Sequence, residues 1–257
     1  MANTVFDNKV IEAKAKDLLT TAVNTRSLMS VDTELAESEG MTKTINVYTY
    51  TGEAEELAAG EANSSRGAIA YVGTDYTVKR VQQVFDYLDQ DFMKDNTIVD
   101  NMLKGANQVM VNKMTADFTA ELAKASVTAP FTTFGYEAIV DGISALNIED
   151  ESKLFVVIPN AWKAQMRKDP DYKAARMGEV VYNGQVGTVC GIPVIASKAL
   201  TDAAYVMTAE AVKLFMKKDV EVEQDRDIER KKNTIVLTTY YICALADATK
   251  IAKLSKS

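Results

Sequence analysis

The chain has 257 residues, with 29 Lys and Arg, 36 Asp and Glu and no histidine, so its formal net charge is −7. That length suits one large or two modest domains, and 47% hydrophobic with 25% charged residues excludes a globally disordered chain. The missing histidine removes imidazole-based catalysis and His-containing zinc sites, while the acidic balance argues against gripping nucleic acid by phosphate neutralisation.

Met1 to Asp7 lacks a basic segment followed by an apolar run, so no signal peptide is expected. No window approaches about 18 consecutive apolar residues, which predicts no membrane span. Folding in a reducing cytoplasm is expected, with Cys190 and Cys243 as reduced, buried thiols in apolar strand-like runs. Residues 1–40 are polar and acidic, with a weak amphipathic stretch from Val10 to Val23. They read as an arm that needs a partner surface to be ordered.

Thr42 to Tyr50 alternates like a strand, with Ile45, Val47 and Thr49 on one face and Asn46, Tyr48 and Tyr50 on the other. A small acidic stretch, 52–66, separates it from a second strand-like run that starts at Ala68 and continues through Phe85. This is a long hairpin with a mobile acidic tip. An isolated hairpin is marginal in water, so it is expected to lie on something else. From Asn96 to Ala125 the apolar period becomes helical, through Met102, Leu103, Met110, Met114, Phe118 and Leu122, with Asp95 or Asn96 as N-cap.

After Pro130 the texture is α/β. Tyr136–Leu146 reads as a helix and Leu154–Ile158 as a buried strand stopped by Pro159. Asn160 reads as the cap of a helix ending before Asp169 and Pro170. Val180–Tyr182 and Gln185–Val189 flank Asn183-Gly184, a hairpin signal because both turn residues tolerate positive φ. A strand is expected over 191–197. Residues 203–217 read as a strand and then a short helix from Ala209 to Met216. In the last section Glu221, Glu223, Asp225, Asp227 and Glu229 fall on one face of a strand, and Val220, Val222, Gln224, Arg226 and Ile228 on the other. Lys231-Lys232-Asn233 reads as a turn, Ile235–Ala246 as the return strand, and 249–254 as a further strand.

Catalytic signatures are missing. Gly184, Gly187 and Gly191 have neither dinucleotide nor phosphate-loop spacing and read as turn and bulge glycines. The pairs Asp89/Asp91, Asp169/Asp171 and Asp225/Asp227 lack the rest of a calcium loop and read as solvated carboxylates. The 221–229 stripe leaves three readings open: a solvated or locally paired hairpin, contact with basic residues of a neighbouring chain, or a cation site. An arm and a hairpin that cannot stabilise themselves point to an α+β protein that assembles.

The segments Leu154-Phe155-Val156-Val157-Ile158-Pro159 and Asn183-Gly184-Gln185-Val186-Gly187-Thr188-Val189-Cys190-Gly191-Ile192-Pro193-Val194-Ile195-Ala196-Ser197 resemble those of the Hong Kong 97-type major capsid proteins of tailed bacteriophages. So do Val220–Asp227 with its Tyr-rich return strand, and the element order of the whole chain. The resemblance implies an N-terminal arm at 1–40, an E-loop at 41–75, a peripheral domain at 76–130 and 218–247 with a long spine helix, and an axial domain at 131–217 and 248–257. It implies pentamers and hexamers in an icosahedral shell, a separate scaffolding protein or none, a portal, and double-stranded DNA held without tight specific binding. It also implies a virion protein assembled in the host cytoplasm, not an enzyme, with no cofactor, metal or membrane. The candidate intersubunit contacts are Glu53, Glu55, Glu56, Glu61 and Arg66 at the hairpin tip, and Glu221, Glu223, Asp225, Asp227, Glu229, Lys231 and Lys232. Asn183, Gly184, Gly187, Gly191 and Pro193 are the structural turn residues. An encapsulin-like compartment shares the implied fold, and a soluble α/β enzyme using carboxylate, Lys or Tyr chemistry is the remote rival.

Overall fold

The computed structural model describes residues 11, 13–14, 28–37, 39–95, 97–175 and 187–256. In chain order the elements are β1 (Ser30–Asp32), α1 (Glu34–Glu37), β2 (Thr42–Thr51), β3 (Ala68–Thr77), β4 (Lys79–Leu88), α2 (Asp89–Lys94) and α3 (Ile98–Leu122). Then come β5 (Val127–Phe131), α4 (Tyr136–Leu146), β6 (Leu154–Pro159), α5 (Lys163–Lys168), α6 (Pro170–Ala175), β7 (Thr188–Val189), β8 (Ile192–Ser197) and β9 (Ala203–Thr208). The chain continues through β10 (Val212–Asp227), β11 (Lys232–Leu245) and β12 (Ile251–Lys256).

Two sheets carry the body. A four-stranded sheet runs β1-β10-β11-β4, and a six-stranded sheet runs β5-β12-β9-β6-β8-β7. The long helix α3 lies on the first. At 1.5 Å per residue its 25 residues span about 38 Å. Leu103, Met110, Met114, Phe118 and Leu122 recur at four and seven residues, and they meet Leu214, Ile235, Leu237 and Tyr241 in one buried core. Its methionines fill this core as expected. The six-stranded sheet buries Val156, Ile158, Val206 and Leu254 against Ile139 and Ile143 of α4. Gly142 lets α4 approach closely, because a Cβ there would overlap Leu254 and Val206.

Several expectations are corrected. Residues 209–216 are not a helix. Val212, Leu214 and Met216 face the α3 core, whereas Phe215 faces a second cluster with Leu35, Val78 and Ile242. Leu214, Phe215 and Met216 are buried on both faces of the strand, so alternation is lost after Lys213 and the short apolar run also fits a helix. The described part of the arm docks on its own chain. Ile11, Leu28 and Met29 join the main core, Leu35 joins the second cluster, and β1 pairs parallel with β10. The other arm residues, including most of Val10–Val23, lie outside the described residues.

The long helix starts at Ile98, two positions after the expected Asn96, and ends at Leu122 rather than Ala125. Thr97 is its N-cap residue and makes no side-chain cap. Asp95 instead accepts from the Thr97 N–H (2.8 Å) and Oγ1 (2.7 Å). Asn160 caps nothing, because it opens a single 3-10 turn (Asn160–Trp162) without a side-chain cap. The Asn183-Gly184 hairpin falls outside the described residues. The turn that is described is Cys190-Gly191, which joins Val189 to its partner Ile192 with φ of 51° and 81°. Positive φ at both central residues makes a two-residue hairpin turn, which leaves Cys190 exposed rather than buried. Gly187 also has positive φ, and its carbonyl accepts the Val194 N–H (2.9 Å). Pro193 sits in β8 opposite Thr188.

Candidate assembly surfaces

The hairpin β2–β3 is paired from Thr42↔Thr77 to Thr51↔Ala68. Its root is fixed to the body. Ile45 and Tyr76 pack on the second cluster, Lys43 bridges to Glu34 (3.0 Å), and the Lys124 ammonium lies over the Tyr76 ring. Beyond the root both faces are apolar and open. Tyr48 opposes Tyr71 and Tyr50 opposes Ile69 on one face, while Val47 opposes Val72 on the other. Tyr48, Tyr50, Ile69 and Tyr71 are each about two-thirds exposed.

The tip is internally organised rather than loose. Glu55 accepts from Ser64 N (2.8 Å), Ser64 Oγ (2.8 Å) and Ser65 N (3.4 Å), and these bonds hold its carboxyl below the usual range. The Tyr50 ring lies across the neck of the loop, where a Cβ on either Gly52 or Gly67 would overlap it. Glu61 Oε2 accepts the Ala58 N–H at 3.3 Å. Glu55 is thus spent within the loop, while Glu53, Glu56 and Arg66 stand exposed.

The acidic stripe lies on the face of the four-stranded sheet opposite α3. Asp225 aligns with Thr234 and Asp86, and Glu223 with Val236 and Val84. Its members divide by use. Glu221 is paired with Lys218 (2.7 Å). Asp227 Oδ1 accepts the N–H groups of Glu229 (3.0 Å) and Arg230 (3.1 Å), so it shapes the turn that follows. Among the described residues, no ion pair reaches Glu223, Asp225 or Glu229. Strand β10 ends at Asp227, so Glu229 belongs to the turn, and Lys232 and Asn233 belong to β11 rather than to the turn. Lys232 pairs with Asp86 (2.8 Å). Asp86 also accepts from Thr234 Oγ1, and both bonds keep its carboxyl low.

Carboxylates read as solvated in the sequence, or not singled out there, tie elements together. Asp89 is not merely solvated. It accepts from Arg226 Nη2 (2.9 Å) and Asn233 Nδ2 (2.7 Å), and its own N–H donates to the Lys231 carbonyl (3.0 Å). Asp169 accepts from the N–H groups of Tyr136 (2.6 Å) and Asp171 (2.9 Å), tying α4 to α6. Asp117 is buried on α3 and receives Tyr241 Oη (2.9 Å), Lys113 Nζ (3.1 Å) and Lys79 Nζ (3.3 Å). Burial alone would raise its pKa, but these donors outweigh it and hold the carboxyl below its ordinary value. Burial, with Asp117 nearby, pushes the Cys243 thiol up to about 12, which makes it inert as a nucleophile. Signals for two of them were present. Arg226 continues the buried face of Val220 and Val222, and Asp117 continues the apolar stripe of Met110 and Met114. A charge in such a position needs a partner.

Among the described residues, no group of three or more His, Cys, Asp or Glu could hold a metal, and no helix is long and apolar enough to cross a membrane. Comparison with known proteins decides the family. Residues 71–254 match the family model described as phage capsid protein. The chain belongs to the phage capsid protein family. The major capsid protein of Staphylococcus phage phiMR11 is 22% identical over 244 residues, covering 90% of this chain and 86% of that protein. A structure from Mycobacterium phage Che8 superposes with TM-score 0.65 at 16% identity, covering 89% of both chains. The virus-like particle of Pyrococcus furiosus superposes with TM-score 0.64 at 10% identity, covering 96% of this chain and 98% of that one. These likenesses show the Hong Kong 97-type capsid fold. Identities this low separate no functions within the fold. The matches made through sequence, by contrast, are to phage capsid proteins.

Proposed function

We propose that this capsid protein builds an icosahedral phage head from its own pentamers and hexamers, enclosing double-stranded DNA and working as a structural protein rather than an enzyme. The observation that carries the reading is the hairpin, whose apolar residues are exposed on both faces beyond a fixed root. A single subunit leaves that surface in water, whereas a neighbouring copy covers it. Residues 1–40 act as the arm, 41–75 as the E-loop, 76–130 with 218–247 as the peripheral domain, and 131–217 with 248–257 as the axial domain. A scaffolding protein and a portal complete the head, which assembles in the host cytoplasm. The net charge of −7 suits loose contact with DNA that must leave again.

Negative-stain microscopy tests the reading, on protein expressed alone and with its phage's scaffolding protein. Closed shells with regular capsomers are expected. Small discrete oligomers under every condition, or shells whose native content is a protein cargo without nucleic acid, would overturn it.

A further inference from the structure

A cavity of about 680 Å³ opens at one end of the six-stranded sheet, where α4 stops and β9 gives way to β10. Its size falls within the roughly 300–1,000 Å³ of small-ligand sites. Leu146, Ile148 and Ala209 give it apolar walls. Thr208, the last residue of β9, lines it too. Strand alternation sends this side chain to the α4 side, with Ala204 and Val206. Thr208 is only 8% exposed, and its hydroxyl has no hydrogen-bond partner. A buried hydroxyl without a partner costs free energy, so the cavity favours a ligand that brings a polar group to it.

The charge around the cavity has a sign. Helix α4 ends in its wall, at Leu146 and Asn147, and its last turn carries no basic residue. Asn147, with φ of 48°, returns its own N–H to the Ser144 carbonyl (3.1 Å). A helix C-terminus is the negative end of the dipole and favours a cation. Glu149, Asp150 and Glu151 follow it directly, and Glu210 follows Thr208 and Ala209. Of the two bases at the cavity, Lys250 is closed on Glu210 (2.8 Å), and Lys153 lies 4.0 Å from Asp150. Four carboxylates and a helix C-terminus thus stand against two ammonium groups.

We infer that this cavity binds a linear aliphatic polyamine, with one ammonium at the acidic rim by Asp150, its methylenes against Leu146, Ile148 and Ala209, and a further N–H donated to the Thr208 hydroxyl. A fatty acid would set its carboxylate among the acids. A neutral apolar ligand would leave Thr208 without a partner, and an inorganic cation would leave the apolar walls uncovered. The site also lies at the junction of the two sheets. Lys250, between β11 and β12, grips Glu210, between β9 and β10, and Ser126, after α3, donates to the Ala248 carbonyl (2.9 Å). All three crossings between the sheets therefore meet beside it, and a bound amine braces them from the α4 side. The site belongs to a single chain and does not depend on the shell reading.

Calorimetric titration of the full-length protein with spermidine at physiological salt tests it. Saturation at one amine per chain is expected, with a matching rise in the thermal midpoint. Asp150→Asn keeps the oxygen that Ser152 uses, and Thr208→Val keeps the side-chain shape. Each should weaken binding about tenfold, the worth of one hydrogen bond to a charged group. Without amine, Thr208→Val should melt no lower than the wild type, because it loses only a hydroxyl that had no partner. Neutralising Glu223 and Asp225 together, far along β10, should leave binding unchanged, and hexanoate should not bind. Uptake that never saturates, an equal loss in the remote pair, or wild-type affinity in either cavity variant would each overturn the amine site. So would a lower melting point for unliganded Thr208→Val, or hexanoate that binds as tightly as spermidine. None of these results bears on shell formation.

Discussion

Asp117 occupies a position where the buried stripe of α3 would otherwise carry a hydrophobic residue. It joins three elements there, since its donors come from α3 itself, from β4 and from β11. The arrangement makes stability depend on acid in a defined direction. The folded pKa lies below the ordinary carboxylate value near 3.9. The stabilisation is therefore complete above about pH 4 and is lost as pH falls through the lower folded value. Asp117→Asn is expected to cost about 2 kcal/mol at neutral pH, the usual worth of hydrogen bonds to a charged group. It should also flatten the decline in stability below about pH 4. Urea midpoints of both proteins, measured between neutral and acid pH, check this; parallel acid profiles would remove Asp117 as the source. With no histidine in the chain, no side chain has an ordinary pKa near neutrality, and carboxylates of this kind carry its acid response.

At the scale of elements, the legible parts were those with a single period. The long helix, α4 and the buried strand β6 follow directly from spacing, and the alternation of Val220 to Asp227 gives the sheet face that holds the acids. Residues 212–216 were misread because both faces are buried, and alternation vanishes when nothing faces water. The docking of the arm on its own chain was missed for the opposite reason. Leu28, Met29 and Leu35 are too few to show a period, yet each finds a core. Cys190 looked buried because its neighbours are apolar, but it stands in the turn between them. Among the candidate contacts, sequence could not tell spent carboxylates from free ones, because Ser64 and Ser65 meet Glu55 only after the loop closes.

Two element-scale outcomes are expected. Thr51 and Ala68 are already a register pair, so replacing 52–66 by a single Asn before Gly67 leaves an Asn-Gly turn compatible with the strands. Such subunits should fold and remain soluble but fail to close shells, as sizing and microscopy would show. Normal shells from this variant would make the tip dispensable. Reversing Glu223 and Asp225 together, on the open sheet face, is expected to reduce shell yield with little change in subunit unfolding, since neither makes an ion pair among the described residues. Unchanged yield would assign that stripe to solvent.

For the whole molecule, the two sheets are joined by short connections, after α3, between β9 and β10, and between β11 and β12. The hydrogen-bond order matters more than the connections. Strand β12 pairs parallel with β5 on one side and antiparallel with β9 on the other, so residues 251–256 form an interior strand of the six-stranded sheet. Its Ile251, Ala252 and Leu254 are fully buried. Removing 251–256 is expected to leave β5 and β9 as facing open edges and to drive the protein into aggregates, measurable by light scattering and lost cooperativity of unfolding. A soluble, cooperatively unfolding truncation would show that the sheet closes without it.

The position of β12 also sets a clock. A chain leaving the ribosome can form the β10–β11 hairpin, seat α3 and extend β2–β3 while β5 and β9 still wait for the strand between them. A nascent chain thus presents sticky surfaces before its body is finished, but its six-stranded half cannot become rigid until residues 251–256 are free. Subunit docking that needs that rigid half is thereby confined to chains already synthesised through this strand. In a protein that assembles with copies of itself, this ordering keeps growing chains from being built into one another.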